Sequence, residues 1–336
     1  MGNIGLYKVQ AGKETTPGTA VAATAIWHSF KLRPAIGDKE IVQPEEDRGS
    51  LAAYHRGYTV KQLADLGALE TNELSYEDAP YLFLMALKGA VTSTQPDPTN
   101  AATVRLHTFT PSLSSANTPD TWTVEWGEDT QAWESEYCFL RNLKLTGAAN
   151  SPIKASGALV GRQNSTCTFT GALSARSMVA PAVSNMAKVY VDDAGGTMGA
   201  TQLSAAVLDW EWDMGDHFTP AHTQDGNLYF TLLTEQKLKP KLTVTAFLTT
   251  AVKTLITTKY AAGTVQLVRL DCLGSLIATT FYNRIRIDGA YRIMKVDPIG
   301  ERDGGSTVRM ELSGEYDATW AKLVEVSVQN TVAAMP

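Results

Sequence analysis

Residues 139–162 read FLRNLKLTGAANSPIKASGALVGR, and residues 291–316 read YRIMKVDPIGERDGGSTVRMELSGEY. Each stretch holds two runs in which apolar and polar side chains alternate, and a loop containing Gly separates the runs. Such alternation predicts half-buried β-strands joined as a hairpin. Because one stretch lies in each half of the chain, the pair indicates that a single structural unit is built twice.

The same alternation dominates the rest of the chain and predicts a mainly β protein. Only two segments have the pattern of helices. Residues 78–88 follow Ser75, a plausible N-cap, and end at Lys88 and Gly89. Residues 250–260 place apolar side chains on one face and end before Gly263. The predicted strands span residues 27–33, 121–126, 138–146, 153–160, 166–173, 187–191, 207–214, 228–233, 242–247, 265–270, 284–288, 291–296 and 307–312.

Each predicted helix stands at the same place in a repeated order of strand, long polar loop, strand, helix, strands and hairpin. The long loops are residues 35–57, before a strand near Tyr58, and residues 215–226, before a strand at Asn227. The order predicts two domains, residues 1–176 and 177–336, linked near residues 175–187, where Pro181 and small residues interrupt the periodicity. Each half carries a formal charge of −3.

The composition excludes several classes of protein. The chain has 336 residues, 44% of them hydrophobic, and its 29 basic and 35 acidic residues give a net charge of −6. This apolar content can bury a core, which argues against disorder. Weak acidity spread along the chain argues against a protein that grips nucleic acid or anionic lipid through a basic surface.

Three distant cysteines, Cys138, Cys167 and Cys272, match neither a disulfide framework nor a zinc spacing. They are typical of a chain that folds in reducing cytoplasm. The amino terminus has no basic region followed by an apolar run, and no apolar stretch approaches the ~18 residues of a membrane span. We therefore expect neither a secretion signal nor a membrane association.

The strongest candidate for catalysis is a histidine pair. His217 and His222, with Asp216 or Asp225, could bind a metal in a hydrolase, but their spacing matches no zinc pattern. The chain also lacks GxSxG and GxxxxGK[ST] motifs. We expect a solvated loop here, and no catalytic residue, metal or cofactor in the protein.

Two segments are rich in aspartate and glycine, which favour turns. Asp192 and Asp193 lack the 12-residue ligand series of a calcium loop, so a hairpin turn is expected there. GERDGG at residues 300–305 has turn residues throughout and predicts a hairpin tip.

Tryptophans on the predicted strands could stack on a sugar or a base. Alternation places Trp122 with Trp126 on one sheet face and Trp210 with Trp212 on another, and Trp133 lies nearby in the chain. Paired positions of this kind favour a core or a subunit interface over a ligand platform.

Taken in order, several stretches resemble the major tail tube proteins of long, non-contractile tailed bacteriophages. No single motif carries the resemblance, which covers most of the chain. The matching stretches are GKETTPGTA at 12–20, GDKEIVQPEEDRGS at 37–50, SYEDAPYLFLMALKG at 75–89, NLKLTGAANSPIKASGALVGR at 142–162 and AKVYVDDAGGTMGATQLSAAVLDWEWDMG at 187–215.

The resemblance implies a module made of a β-sandwich or partial barrel with one flanking helix. Modules join edge to edge in rings, and rings stack into a tube that passes DNA and the tape-measure protein. Some longer relatives carry two modules and form trimers that mimic hexamers, and the predicted duplication places this chain with them. The implied partners are other copies of the chain, the tape-measure protein, tail terminator or distal tail proteins, and DNA in transit; the implied location is the virion tail.

Loop 35–57 is the expected contact between rings, because long loops in compact domains usually serve function. We expect it, and its shorter partner at 215–226, to be mobile in the free subunit and to reach the adjacent ring. Deleting residues 40–52 should leave soluble subunits that cannot elongate. The candidate inter-ring residues are Lys39, Glu40, Glu45, Glu46, Asp47, Arg48 and Arg56.

A tube through which DNA passes is expected to have a net negative channel wall, since basic contacts would hold phosphates. Two other functions stay open at this point. A pair of carbohydrate-binding or adhesin domains would share the sandwiches and tryptophans but would not polymerise. An enzyme would use the histidine pair.

Overall fold

The computed structural model describes residues 3–52, 54–89, 91, 93–173 and 181–333. It confirms a mainly β fold, and every strand pair between its named strands is antiparallel. The strands before residue 174 are β1 (Lys8–Lys13), β2 (Ala25–Ile26), β3 (Lys39–Val42), β4 (Tyr58–Gln62), β5 (Ala64–Thr71), β6 (Ser93–Thr94), β7 (Arg105–Phe109), β8 (Trp122–Gly127), β9 (Ala132–Leu140), β10 (Lys144–Ala148), β11 (Lys154–Gly161) and β12 (Asn164–Cys167).

The strands after residue 180 are β13 (Ala187–Asp193), β14 (Val207–Asp213), β15 (Phe218–Ala221), β16 (Leu232–Glu235), β17 (Lys241–Phe247), β18 (Val265–Ala278), β19 (Phe281–Val296), β20 (Gly300–Arg302), β21 (Gly305–Gly314) and β22 (Val324–Asn330). The helices are α1 (Ala79–Ala86) and α2 (Thr250–Thr254), and α2 continues as a π-helix over Leu255–Tyr260. Short 3₁₀ turns span Ile4–Leu6 and Ser184–Met186.

The strand pairs of the first half recur in the second half in the same chain order. In the first half β8 pairs with β1 and β9, and in the second half β18 pairs in the same way with β13 and β19. β11 pairs with β5, β9 and β10, and its counterpart β21 pairs with β17, β19 and β20. β12 lies on β9 as β22 lies on β19, and the hairpin β3–β4 corresponds to β15–β16.

The predicted boundary at residues 176 and 177, and most of the predicted linker, lie outside the described residues. Strands from the two sides of this gap pair directly: β10 with β14, and β7 with β22. One hydrophobic core cluster also includes buried side chains of both sides, such as Leu145 and Trp212.

Burial alternates along the core strands because successive strand residues point to opposite faces. Leu145, Trp212, Leu242 and Leu312 lie in register on neighbouring strands and are all buried. Their chain neighbours point to solvent. β9 pairs with β8 and β12 near its start and with β11 at its end. β19 likewise pairs with β18 and β22 and then, over residues 291–296, with β21, so each of these long strands connects two groups of strands.

Helix α1 is buried on all sides, whereas the resemblance implied a helix flanking the module. Each of its eight residues is buried, because Tyr81, Leu82, Phe83, Leu84 and Met85 leave no polar face. The N-cap of α1 is Asp78 and not the predicted Ser75, and the helix ends at Ala86, two residues before the predicted end. The hydroxyl of Ser75 accepts a hydrogen bond from the backbone N–H of Asp78 in the turn that precedes the helix.

The second helix occupies the predicted residues but departs from a regular α-helix. Thr249 caps it by accepting a hydrogen bond from the backbone N–H of Val252. Val252 is buried and Leu255 and Ile256 are half-buried, as the predicted face requires. Tyr260 is exposed, because the π-helical turns rotate it away from that face.

Several strand predictions need correction. Residues 27–33 make only a single bridge, Lys31 to Glu70, beside the two-residue strand β2. The strand predicted at 166–173 is β12 and ends at Cys167, because Thr170 bonds to the Glu125 carboxylate instead of a neighbouring strand. The segments at 284–288 and 291–296 form one continuous strand, β19.

Candidate functional site

A continuous sheet runs through both halves of the chain and provides its main open surface. Its strands are, in order, the segment at Lys31, then β5, β11, β10, β14, β17, β21 and β20. One face covers the core and the other faces solvent. We call this assembly the continuous sheet.

The two halves meet in this sheet at the junction of β10 and β14. Five residue pairs are in register there, from Lys144 opposite Asp213 to Ala148 opposite Asp209. Nζ of Lys144 lies 2.8 Å from Oε1 of Glu211. Beneath it, Gly147 lies so close to Trp210 that a Cβ there would stand 2.6 Å from the indole ring. The junction therefore combines backbone pairing, a charge pair and close packing.

The continuous sheet ends at the Lys31 segment in one half and at β20 in the other. Within the described residues, the Lys31 segment is bridged on one side only, to β5, and β20 pairs only with β21. Residues 298–302, which include β20, are exposed, and Ile299 is 66% exposed. Asp303 and Gly304 turn between β20 and β21, both with positive φ, which confirms the predicted hairpin tip.

The solvent face of the sheet carries alternating charge. Lys31, Glu70, Ser156, Lys144, Asp213, Lys241 and Ser313 stand in one cross-strand row. The neighbouring rows add the basic residues Lys154 and Arg309 and the acidic residues Asp209, Glu211 and Glu311. Basic and acidic side chains therefore alternate across these rows, and Arg302 of β20 lies beside Asp209 at 3.1 Å.

The predicted inter-ring residues lie on a projecting hairpin, which we call the arm (residues 36–62). Lys39 and Glu40 are in β3, which pairs with β4, so loop 35–57 is a two-stranded hairpin with a long tip. Glu46 brings three of the predicted residues together, since its carboxylate pairs with Arg48 and, at 2.5 Å, with Arg56. In the described part of the chain, Glu45 and Asp47 make no ion pair.

None of the described residues of the arm is buried. Its apolar side chains are exposed instead: Ile41 is 67% exposed, and Leu51, Tyr54 and Tyr58 also face solvent. Among the described residues, the hydrogen bonds that hold the arm to the body lie at its root, where Asp38 accepts from the Gln62 side chain and the Asn164 backbone. Exposed apolar groups clustered on one projection are typical of an interaction surface. The sequence pattern revealed the charges of this loop but not its apolar side chains.

The shorter loop is packed against the first half of the chain. It is the hairpin β15–β16, whose second strand begins at Leu232 instead of the predicted Asn227. Phe218 and Phe230 are buried in a cluster with Tyr137, Phe139 and Val160. The guanidinium of Arg162 lies between the rings of Tyr137 and Tyr229. The tip, residues 222–228, is exposed, and so are Leu232, Thr234 and Glu235 of β16.

The predicted histidine pair, His217 and His222, makes contacts with neighbouring groups of the fold. Burial lowers the pKa of His217, although Glu235 opposes this shift, and Nδ1 of His217 lies 3.1 Å from the Gln236 carbonyl. Asp216 accepts a hydrogen bond from Asn142, and His222 lies against Phe230. Throughout the described ranges, no group of three His, Cys, Asp or Glu residues could hold a metal ion.

Asp192 and Asp193 are the last residues of β13 and do not form the expected turn themselves, which follows them in the chain. The side chain of Asp192 holds the loop after the strand closed. Its carboxylate accepts three backbone hydrogen bonds, from Gly199, Ala200 and Thr201. Asp193 pairs with Lys259. The three cysteines are free, as predicted.

Most of the tryptophans singled out in the sequence belong to the core. Trp122, Trp126, Trp210 and Trp212 are buried, and the indole N–H of Trp212 donates to the Tyr291 hydroxyl at 2.9 Å. Trp133 is half-buried and stacks on Trp126 with ring centroids 5.2 Å apart. The prediction of a core role is thus confirmed for four of them.

Sequence reasoning missed the two edges of the continuous sheet and the partners at its junction. Lys144 and Glu211 lie in predicted strands, but only the strand order brings them together. None of the helices in the described ranges has the length and apolar character that crossing a membrane requires. No protein-family model matches this chain, and no curated protein matches it either.

Proposed function

We propose that this chain is a structural virion protein of a long-tailed bacteriophage, in the manner of the tail tube proteins that its sequence resembles. Two modules per chain would join into trimeric, pseudo-hexameric rings, and the rings would stack into a hollow tail tube. Phage DNA and the tape-measure protein would pass through the tube. The chain would fold in the host cytoplasm and act in the virion tail.

One observation carries this proposal: the continuous sheet already joins two similar halves edge to edge, and within the described residues its two end strands pair on one side only. Free edges are a hazard to a monomer, because they present unpaired backbone groups. Pairing between copies removes that hazard, and a head-to-tail contact that closes on itself generates a ring.

The size of the sheet is compatible with a channel. Each half contributes about four strands, so three copies would supply about 24 strands, enough to enclose an aqueous channel. The solvent face of the sheet would line it. Basic and acidic side chains alternate in its rows, whereas we expected a net negative wall. Alternating charge would present no continuous basic stripe to phosphates, so DNA could pass without specific binding.

The arm is the proposed contact between rings. It projects from the body, exposes Ile41, Leu51, Tyr54 and Tyr58, and includes all seven of the predicted charged residues. The same end surfaces would meet tail terminator or distal tail proteins where the tube stops. The shorter hairpin β15–β16 is less suited to this role because its aromatic residues are packed within the chain.

Electron microscopy of the concentrated, purified protein tests the proposal. We expect hollow filaments of regular repeat, with three subunits per ring in end-on averages. Protein that stays monomeric at high concentration would contradict it. The carbohydrate-binding alternative has less support, because four of the five candidate tryptophans are buried; monomers that bind a glycan array would favour that alternative.

A further inference from the structure

We infer that Arg286, Ser327 and Thr108 form a binding site for a tetrahedral oxyanion such as phosphate. The three side chains lie on the adjacent strands β19, β22 and β7, away from the rows that form the solvent face of the continuous sheet. The site therefore goes beyond the proposed function and does not depend on it.

The site belongs to a row of side chains that crosses five strands in register. Lys188 of β13 lies opposite Asp271 of β18, and Asp271 lies opposite Arg286. Arg286 lies opposite Ser327, and Ser327 lies opposite Thr108. The chain neighbours of this row on β18, β19 and β22 are buried apolar residues of the core. Because successive strand residues point to opposite faces, the row points away from the core.

Two carboxylates lie near Arg286, but other arginines already hold them. Asp271 accepts two hydrogen bonds from the Arg284 guanidinium. Asp288 accepts two from Arg269, each 2.7 Å long. Nη2 of Arg286 lies 3.9 Å from Oδ2 of Asp271. Three guanidinium groups therefore share two carboxylates, and the positive charge of Arg286 is left without a close counter-ion.

The hydrogen-bonding capacity of the three side chains is also unused. Arg286 makes no hydrogen bond to any described residue, and its Nε is buried. Burial and the neighbouring guanidiniums of Arg269 and Arg284 lower the pKa of Arg286. The hydroxyls of Ser327 and Thr108 likewise find no hydrogen-bond partner in the part of the chain that the structure describes. Buried polar groups are normally paired, so the unpaired Nε, with two free hydroxyls in the same row, points to a ligand that accepts hydrogen bonds.

The number and placement of the donors favour phosphate over a carboxylate. A guanidinium fork can donate to two oxygen atoms of one anion. The hydroxyls of Ser327 and Thr108 add one donor each, from the next two strands. A carboxylate has only two oxygen atoms, whereas a phosphate has enough of them to accept from all of these donors.

The surroundings of the site suit an anion that arrives from solvent. The Arg286 side chain is 25% exposed, and the two hydroxyl-bearing residues are half-buried. Lys188, at one end of the row, is exposed and makes no ion pair within the described residues, so it adds positive potential. In the next row, Glu325 is engaged by Lys322, which weakens its repulsion of an anion.

Isothermal titration calorimetry of the full chain with inorganic phosphate, at pH 7.5 and low ionic strength, tests the inference. We expect one phosphate to bind per chain. Arg286→Gln should weaken binding about tenfold or more, because it removes the fork and its charge, and Ser327→Ala should weaken it about threefold. Arg309→Gln is the matched control. It removes a guanidinium of the continuous sheet instead, and it should bind phosphate as the wild type does.

Three results would overturn the site. They are a wild-type chain that binds no phosphate, an Arg286→Gln variant that binds as the wild type does, and an Arg309→Gln variant weakened as much as Arg286→Gln. Circular dichroism of each variant accompanies the titrations. If Arg286→Gln does not fold, Ser327→Ala combined with Thr108→Val takes its place, and unchanged binding by that folded variant counts equally against the site.

Competition identifies the chemistry of the anion. Acetate has two oxygen atoms and should displace phosphate about tenfold less effectively than sulfate does. Equal displacement by acetate would overturn the assignment to a tetrahedral anion. Glycerol phosphate is titrated separately, because it presents three phosphate oxygens on an organic ester. Tighter binding than inorganic phosphate would support an organic phosphate as the ligand, and weaker binding would support the free anion.

Discussion

Nζ of Lys144 lies 2.8 Å from Oε1 of Glu211, where the sheets of the two halves join. Both side chains are about 40% exposed. An ion pair this accessible to water contributes at most about 1 kcal/mol. The junction must therefore depend more on its backbone ladder and on the packing beneath the pair than on this attraction.

The first prediction concerns that packing. Gly147→Ala should lower the free energy of unfolding by about 1–3 kcal/mol, because the new Cβ would overlap the Trp210 ring and the Ser184 hydroxyl. Urea unfolding at low protein concentration measures this. Gly171→Ala is the matched control, since nothing lies within 4 Å of the position of its Cβ. Equal stability of the two variants would show that the junction tolerates extra volume.

The buried bond between Trp212 and Tyr291 gives a second prediction. Tyr291→Phe removes the acceptor of the Trp212 indole N–H, at a site where both residues are fully buried. An unsatisfied buried donor costs about 1–3 kcal/mol, so the thermal midpoint should fall. Tyr316→Phe alters a hydroxyl on an exposed ring and should change stability by less than about 0.5 kcal/mol.

The third prediction is a loss of stability below neutral pH. Burial lowers the pKa of both His107 and His217. The unfolded chain therefore binds protons near pH 6.5 that the folded chain does not. The contribution of the two histidines to the free energy of unfolding should be fully present above pH 6.5. It should decrease as the pH drops below that value, by at most about 1.4 kcal/mol per pH unit for each histidine.

Comparing His107→Gln with the wild type isolates one contribution, measured as unfolding free energy at pH 7.5, 6.5 and 5.5. The comparison is needed because burial raises the carboxyl pKa of Glu134 and Glu136. Protonation of these two groups at lower pH favours the folded chain, which is the opposite of the effect of the histidines. The variant should lose less stability than the wild type over this range. Identical slopes would mean that His107 charges freely in the folded protein.

The fourth prediction separates folding from ring stacking. Ile41→Asp combined with Leu51→Asp should leave subunit stability unchanged, because both side chains already face solvent. The same variant should lose long tubes in electron micrographs, since charge replaces the apolar surface of the arm. Ile41→Val with Leu51→Met keeps that surface and should keep the tubes. Tubes of normal length from the aspartate variant would exclude the arm from the contact between rings.

The sequence predicted the strands of the core well, since residues such as Leu242, Val244 and Ala246 alternate with polar neighbours over a full strand. It also predicted the turn at Asp303 and Gly304, because few residue pairs accept positive φ at both positions. Local pattern sufficed in these places.

Elsewhere the outcome depended on partners distant in the chain. Residues 27–33 alternate like a strand, yet they find only one bridge because no strand within the described residues lies on their outer side. The π-helical turns after Thr254 were equally invisible to a pattern that assumes 3.6 residues per turn. The exposed apolar side chains of the arm lie in a loop with many charged residues. Its composition alone predicts a solvated loop and gives no sign of an apolar surface.

Joining β10 and β14 within one polypeptide also affects how assembly depends on concentration. Two halves on separate chains would have to meet by diffusion and would part on dilution. A covalent connection holds them at an effective concentration on the order of millimolar or higher, whatever the number of copies in the cell. If the chain forms the proposed ring, half of the contacts around it would exist before any two subunits collide, which would lower the protein concentration needed for assembly to start.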